Sequence, residues 1–565
     1  MGERRAPRRL FPDAMTAHAR TGLALATLAL LVGAGVLITH PAARHSLWYD
    51  EAWSVQAISS RAPATIVAIV RADYHSPAYF LTLSAWASLT GLSEVALRYS
   101  SVLCALLAAA VAYRLTVDLY RARAAGAFAA LALCTMPFHI RFAQEVRMYA
   151  ALALLVAASM WLYWRRLAQS AIQDGGSFMR RQNLTPKSPL HKWRGDLQHS
   201  YSPPLRFMER GSGGEVEQAE HSRTAGAPQS PRWKAPLTRP RRATALAYML
   251  VTTAAVYVQY LALFVIPIQL AYAVAVRRRE RTQWRTLWPL ALPLVAGLLF
   301  LPWLPTFLAQ LTSAEYVPIH SHAQPTSLET ITNTLSRDFF AGQAVLYLAL
   351  CAVALLARRG QSALPLRIHA PRAVGFLAAW GVGWLALMWA SNLLAPHYQP
   401  RNALPALPAL AVLIGVGLDR LPRWLGVALL ALLVAGNLTG YNAFQAADPH
   451  YRDAVTALAR TYQPGDPVFV QTNNFLHDLP LAHYLDTLLP PHPEPAWFGT
   501  LAGGWSPGSE AFAAAFAAQV GAHDRFWLLQ TLPVDNAWIA DAAPGYVEVS
   551  NVHVDAFQIA RYEMP

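Results

Sequence analysis

Long apolar blocks, each close to the length that crosses a bilayer and separated by clusters of arginine, constrain this chain more than any other feature. A membrane-spanning helix takes about 20 apolar residues. Runs near that length fall at about 21–39, 97–117, 124–141, 148–164, 244–259, 261–276, 286–305, 343–357, 373–391, 403–418 and 424–440. Only 14% of the 565 residues are charged, where a soluble globular chain carries about 25%. A disordered chain, a disulfide scaffold and a plain cytosolic enzyme are excluded on these grounds. Cys104, Cys134 and Cys351 all lie inside apolar runs and form no CxxC pair, so they predict buried thiols rather than a metal site. An α-helical polytopic membrane protein of about eleven transmembrane helices is expected.

The net charge of +14 first suggests nucleic acid, but its distribution points elsewhere. With the N-terminus inside, the cytoplasmic segments are the basic tail 1–20 and the stretches 114–123, 165–242, 277–285, 358–372 and 419–423. Together they carry +23, against −9 on everything else. Lys and Arg on the inner side of short loops set membrane orientation, so the charge predicts a cytoplasmic N-terminus, an exterior C-terminus and no nucleic-acid partner. The first apolar run follows Arg4, Arg5, Arg8, Arg9 and Arg20 and is read as a retained helix, because the Ala-rich stretch near Pro41 is a weak cleavage signal.

Three stretches differ from this pattern. Residues 76–92 are apolar, but a crossing there would invert every later loop, so an interfacial helix along the outer face is predicted. Residues 169–243, rich in Pro, Ser, Gly, Gln and Arg without hydrophobic periodicity, read as a disordered cytoplasmic insertion in a 21–440 membrane domain. Residues 441–565 carry 13 acidic and 4 basic side chains and read as a small exterior α/β domain. In it Val455, Leu458, Ala459 and Tyr462 share a helix face, and strands are predicted at 468–471, 526–529 and 546–549.

The side chains that carry chemistry gather in the exterior loops. Asp50 and Glu51 are adjacent carboxylates flanked by Trp48, Tyr49 and Trp53 just beyond the first span. They suit a general base or a divalent cation, although no full ligand set is visible, and charged residues also commonly end a transmembrane helix. His75 precedes Pro77, which suits the first turn of the interfacial helix; the ring could donate a proton or hydrogen bond to an anion, or be structural. The turn from Arg141 to Tyr149 holds Glu145 and Arg147, a costly set at membrane depth. Arg147 and Arg98 are candidate phosphate partners through their planar guanidinium forks. The stretch from His397 to Arg401 forms another exterior turn.

The ordered set LWYDEAWS, HSPAYFLTLSAW, SEVALRYSSVL, FAQEVRMYA and HYQPRNALPALPAL, over most of residues 20–420, resembles the bacterial family 39 glycosyltransferases. These are GT-C-fold relatives of protein O-mannosyltransferases and lipid A aminoarabinose transferases, and DPHYRDAV opening an exterior domain is similar as well. The resemblance implies inverting transfer of a sugar from a polyprenyl-phosphate donor to a lipid, glycan or protein hydroxyl, on the outer face of a bacterial inner membrane. It assigns the catalytic base to Asp50, with Glu51 orienting the acceptor or supporting Asp50. It also implies substrate contacts for His75, Arg98, Glu145, Arg147, Tyr149 and Arg401. Two departures stand out: His-Ser-Pro replaces the frequent His-Pro-Pro, and Tyr-Gln-Pro-Arg replaces the usual Arg-Tyr near the tenth span. No GxxxxGK[ST] phosphate loop occurs, consistent with a lipid-linked rather than a nucleotide donor. A transporter or flippase of lipid-linked saccharides is the alternative, and would place its polar residues near the midplane.

Overall fold

The structure is a computed structural model that describes residues 45–173, 239–280, 288–312, 327–340, 342–357, 367–368, 370–394, 399–445, 450–472, 475–489, 491–493, 495–499, 510–521, 523–531 and 537–565. The basic tail, the first apolar run, most of the 169–243 insertion and the His397–Tyr398 pair lie outside the described residues. The chain divides into two units, Met1–Tyr163 with Ala247–Pro565, and Trp164–Leu246. The described parts of the second unit are the ends of two helices, and the first unit holds everything discussed below.

Three short helices come first: α1 (Tyr49–Ile58), α2 (Pro63–Ala72) and α3 (Pro77–Thr90). Pro77 opens α3, where its fixed φ suits the first turn and its missing N–H is no loss. Gly91, at φ +89°, closes it. The 14 residues of α3 span roughly 21 Å at about 1.5 Å per residue, short of a bilayer crossing. Next come α4 (Glu94–Tyr120), α5 (Arg123–Thr135), α6 (Pro137–Ala143), α7 (Tyr149–Gln173), α8 (Arg239–Val258) and α9 (Val265–Glu280). After these run α10 (Trp288–Leu298), α11 (Ala344–Leu355), α12 (Pro371–Leu394), α13 (Leu407–Asp419) and α14 (Arg423–Gln445).

Among the described residues, five helical segments are long and apolar enough to cross a membrane: Glu94–Tyr120, Tyr260–Arg278, Pro371–Leu393, Pro400–Asp419 and Arg423–Tyr441. The pair α5 and α6, bent by 64°, makes a sixth if counted as one broken span. The first of the eleven expected crossings, at 21–39, lies outside the described residues. The runs near 244–259, 286–305 and 343–357 form shorter apolar helices, Arg242–Val258, Pro289–Leu298 and Ala344–Leu355. In the second of these the chain leaves the helix at Leu299 for a series of turns before Leu304. The outer faces expose large apolar side chains, among them Val345 at 84%, Trp424 at 73% and Val382 at 67%. Such surfaces are stable in lipid and not in water.

Helix α13 lies in the middle of the bundle, with Leu407, Val412, Ile414 and Leu418 buried. A Cβ on Gly415 would collide with the backbone of Ala125 and Ala129, and one on Gly417 with that of Leu350, so α13 meets α5 and α11 backbone to backbone. Small residues permit this approach where no hydrophobic effect drives helices together. Polar side chains tie another group of helices: Ser159 Oγ lies 2.7 Å from Thr252 Oγ1, and Gln269 donates to Ser159 Oγ at 3.2 Å.

After α14 the chain forms α15 (Tyr451–Ala459), β1 (Val468–Thr472), α16 (Asp478–Leu488), β2 (Ala496–Gly499), β3 (Arg525–Thr531), β4 (Val547–Val554) and β5 (Phe557–Glu563). The strands make one mixed sheet in the order β2-β1-β3-β5-β4, parallel from β2 to β3 and antiparallel beyond. Val455 and Leu458 are buried on α15. A core of Phe469, Phe516, Phe526, Leu528 and Tyr562 packs around the sheet. Strands β2 and β5 were not expected from the sequence. β2 follows a proline-rich stretch, and β5 carries Gln558 and Arg561 among its apolar residues.

Candidate active site

Each part of the site sits at a helix end. The two acidic residues of α1 fall in its first turn, where the positive end of the helix dipole favours carboxylates. Glu51, at the third helical position, accepts the Trp48 backbone N–H at 3.4 Å, half of a capping box. The break between α5 and α6 comes at Met136–Pro137, since a proline cannot donate the next helical hydrogen bond. After α6 the chain turns through residues 144–148, all buried. That turn is satisfied internally: Tyr441 Oη donates to Gln144 at 2.7 Å and Ser101 Oγ to the Glu145 carbonyl at 2.6 Å. Arg401 lies on a 3-10 turn, Pro400–Ala406, held by the Trp384 and Trp380 indole N–H groups on the carbonyls of Asn402 and Pro405.

Asp50 is the centre. Arg401 Nη1 donates to its Oδ2 at 2.8 Å, and Arg147 Nε stands 3.8 Å from the same oxygen. The Arg401 guanidinium also lies 5.2 Å from the Tyr149 ring centre and 5.5 Å from that of Trp48, which fixes its plane by cation–π contact. Arg147 donates to the Asp50 carbonyl and to Ser54 Oγ, both at 3.3 Å, and to His75 Nε2 at 2.7 Å. Accepting that bond leaves the His75 proton on Nδ1, which stands 3.3 Å from Asp73 Oδ2. Burial, reinforced by Arg147, holds the imidazole below its usual range against the pull of Asp73. The ring is therefore neutral at pH 7. Its Nε2 lone pair is taken up by Arg147. Trp53 stacks on it at 4.8 Å.

Glu51 and Arg98 face each other beside Asp50. They are 1% and 2% exposed and form a bidentate pair, Nη2 to Oε2 at 2.6 Å and Nε to Oε1 at 2.9 Å. The Val146 N–H also donates to Glu51 Oε1 at 2.8 Å, and Arg98 donates to the carbonyls of His45 and Ser46 at 2.7 and 2.9 Å. Both side chains are thus satisfied within the protein, the arrangement of a supporting pair. Glu145 pairs with Arg141 at 3.2 Å through one oxygen, while its Oε2 is buried without a hydrogen-bond partner. Burial raises its carboxyl to about 7, although Arg141 works to lower it.

A divalent cation needs several oxygen ligands. Both oxygens of Glu51 are engaged by Arg98 and by backbone N–H groups, and Asp50 faces two guanidinium ions. No group of three or more His, Cys, Asp or Glu side chains among the described residues could hold a metal ion. The Asp50–Glu51 pair does not fit one.

The structure thus brings Asp50, His75, Arg147, Tyr149 and Arg401 into one cluster, with Glu51–Arg98 and Arg141–Glu145 beside it. Ser54 and Gln310 were missed. Ser54 follows Asp50 by one helical turn, a signal that could have found it. Gln310 donates to the carbonyls of Val70 at 3.0 Å and Asp73 at 2.5 Å, clamping the loop that carries His75. Nothing in its sequence surroundings marks it.

No family profile matches the chain, and no curated protein does. Among solved structures it superposes on ArnT from Cupriavidus metallidurans in the apo state with a TM-score of 0.53 at 14% identity, covering 96% of this chain and 98% of that one. The chain has the GT-C fold of ArnT. The same protein bound to undecaprenyl phosphate gives a TM-score of 0.50, again at 14% identity and with 96% and 98% covered. The oligosaccharyltransferase AglB from Archaeoglobus fulgidus, in complex with an inhibitory peptide and a dolichol-phosphate, gives 0.43 at 11% identity, covering 89% and 69%.

Proposed function

We propose that this chain is a membrane glycosyltransferase of the family 39 type, moving a sugar from a polyprenyl-phosphate donor to an acceptor hydroxyl, with inversion, on the outer face of a bacterial inner membrane. One observation carries the reading: a single carboxylate, Asp50, faces two guanidinium groups, Arg147 and Arg401, in a chain with the ArnT fold. The acceptor oxygen attacks the anomeric carbon as the bond from that carbon to the phosphate oxygen breaks. Asp50 takes the hydroxyl proton, and Arg147 and Arg401 meet the charge left on the departing lipid phosphate. Tyr149 orients Arg401 through its ring. Glu51 and Arg98 hold α1 in place, a supporting role only. The substrate's polyprenyl chain stays in lipid, which accounts for a polar cluster at the ends of apolar helices.

The test uses purified protein, a synthetic polyprenyl-phosphate sugar and undecaprenyl phosphate as a binding probe. Asp50→Asn is expected to lower transfer by about 10²–10⁴-fold, the usual worth of a general base, while still binding undecaprenyl phosphate. Arg147→Ala is expected to weaken that binding at least about tenfold, or ~1.4 kcal/mol. Full transfer by Asp50→Asn refutes the mechanism.

A further inference from the structure

The carboxyl-terminal sheet domain touches the membrane helices at one cluster that the transfer chemistry leaves unexplained. Tyr484, on α16, is buried. Its hydroxyl donates to Glu94 Oε1 at 2.8 Å and accepts the Leu47 backbone N–H at 2.7 Å. Arg452, on α15, places its guanidinium 3.4 Å from Glu94 Oε2 and donates its backbone N–H to Ser46 Oγ at 3.0 Å. Glu94 in turn stands 3.6 Å from Arg98 Nη1. The segment 45–47 is therefore gripped from two sides. Arg98 of α4 holds the carbonyls of His45 and Ser46, while the sheet domain holds the Leu47 N–H and the Ser46 hydroxyl. Asp50 follows three residues later, in the first turn of α1.

From this geometry we infer that Tyr484, acting with Glu94, is a positioning residue: the sheet domain sets the entry of α1 and thereby the place of Asp50 against Arg147 and Arg401. The inference rests on the reading of Asp50 as the base. A general base works only within hydrogen-bond reach of its proton, and misplacement by about 1 Å costs on the order of 10²-fold in rate. The domain is thus part of the catalytic framework. Its worth falls on turnover, because neither Tyr484 nor Glu94 touches Arg147 or Arg401, the groups that would hold the donor phosphate.

The decisive experiment compares Tyr484→Phe with Tyr562→Phe in the full chain. The second variant removes a hydroxyl from the same domain that bonds Glu548, at 3.0 Å. Amide hydrogen exchange over residues 45–52 and steady-state transfer from a polyprenyl-phosphate sugar are read in parallel. In Tyr484→Phe, exchange at the Leu47 amide is expected to rise at least tenfold, and kcat to fall at least tenfold with the donor KM within twofold. Tyr562→Phe should leave both readouts unchanged. Unchanged exchange at Leu47 overturns the proposal, as does faster exchange with kcat intact. If the wild-type chain transfers no sugar yet Tyr484→Phe still loosens Leu47, the glycosyltransferase reading fails while the grip on α1 stands.

Discussion

Truncating Arg98 to Met, a side chain of similar length without charge, tests whether the Glu51–Arg98 pair supports the fold or serves the substrate. The change removes four hydrogen bonds, to Glu51 Oε1 and Oε2 and to the carbonyls of His45 and Ser46. It leaves a carboxylate that is 1% exposed with only backbone N–H partners. Breaking a buried pair on one side costs about 3–5 kcal/mol. Glu51→Leu removes the bidentate partner of the guanidinium but leaves Glu94 at 3.6 Å, so it costs less than Arg98→Met. The double variant leaves no uncompensated charge, only unpaired backbone groups at about 1–3 kcal/mol each, and is expected to be more stable than the sum of the singles by at least about 2 kcal/mol. Reversible SDS titration of the protein in mild detergent, monitored by tryptophan fluorescence, measures all three. Additivity within about 0.5 kcal/mol, the spread seen for independent sites, would refute the pairing argument. So would an Arg98→Met variant that is fully stable but no longer binds undecaprenyl phosphate.

Two further outcomes follow from the geometry. Burial holds the Glu145 carboxyl near 7 in the folded chain against an ordinary value of 4.5, so the folded state keeps a proton that the unfolded state releases first. That contribution is full below about pH 4.5 and is lost as pH rises through about 7, a change on the order of 3 kcal/mol. Glu145→Gln should flatten the pH dependence of stability across that window, and an unchanged slope would count against the burial. Gly415→Ala would press a methyl group into the Ala125 and Ala129 backbone. It should destabilise the chain by about 1–3 kcal/mol, as overpacking does; a neutral result in the same SDS titration would mean α13 and α5 do not meet there.

The residues of the cluster were visible in the sequence because each is a polar group placed where an apolar run ends. Asp50, Glu51, Glu145 and Arg147 stand out against surroundings that tolerate few charges. Their pairing was not visible. Arg401 reaches Asp50 across 351 positions and Arg98 reaches Glu51 across 47, and no local pattern says which arginine meets a carboxylate and which faces outward. The two-sided grip on residues 45–47 was invisible for the same reason, since Tyr484 lies 437 positions from Leu47 and reads locally as one more apolar residue on an amphipathic helix. Apolar length misled in the other direction. The 20-residue run at 286–305 contains a shorter helix because the chain turns out of it, and hydrophobicity alone does not register a turn.

The meeting of one carboxylate with two guanidinium groups has a practical corollary. Asp50 is shared between Arg147 and Arg401, with Asp73 next in line behind His75, in a cluster where Arg147 is 4% exposed. Bulk salt screens exposed charges beyond about 8 Å at physiological ionic strength but reaches buried ones far less. Two guanidinium groups meeting at one carboxylate oxygen are where a small oxyanion from solution would bind, by direct contact rather than by screening. The choice of buffer anion is then an experimental variable in its own right: phosphate or sulfate in the assay acts as a competitor, and affinities measured in chloride and in phosphate refer to different exchange reactions.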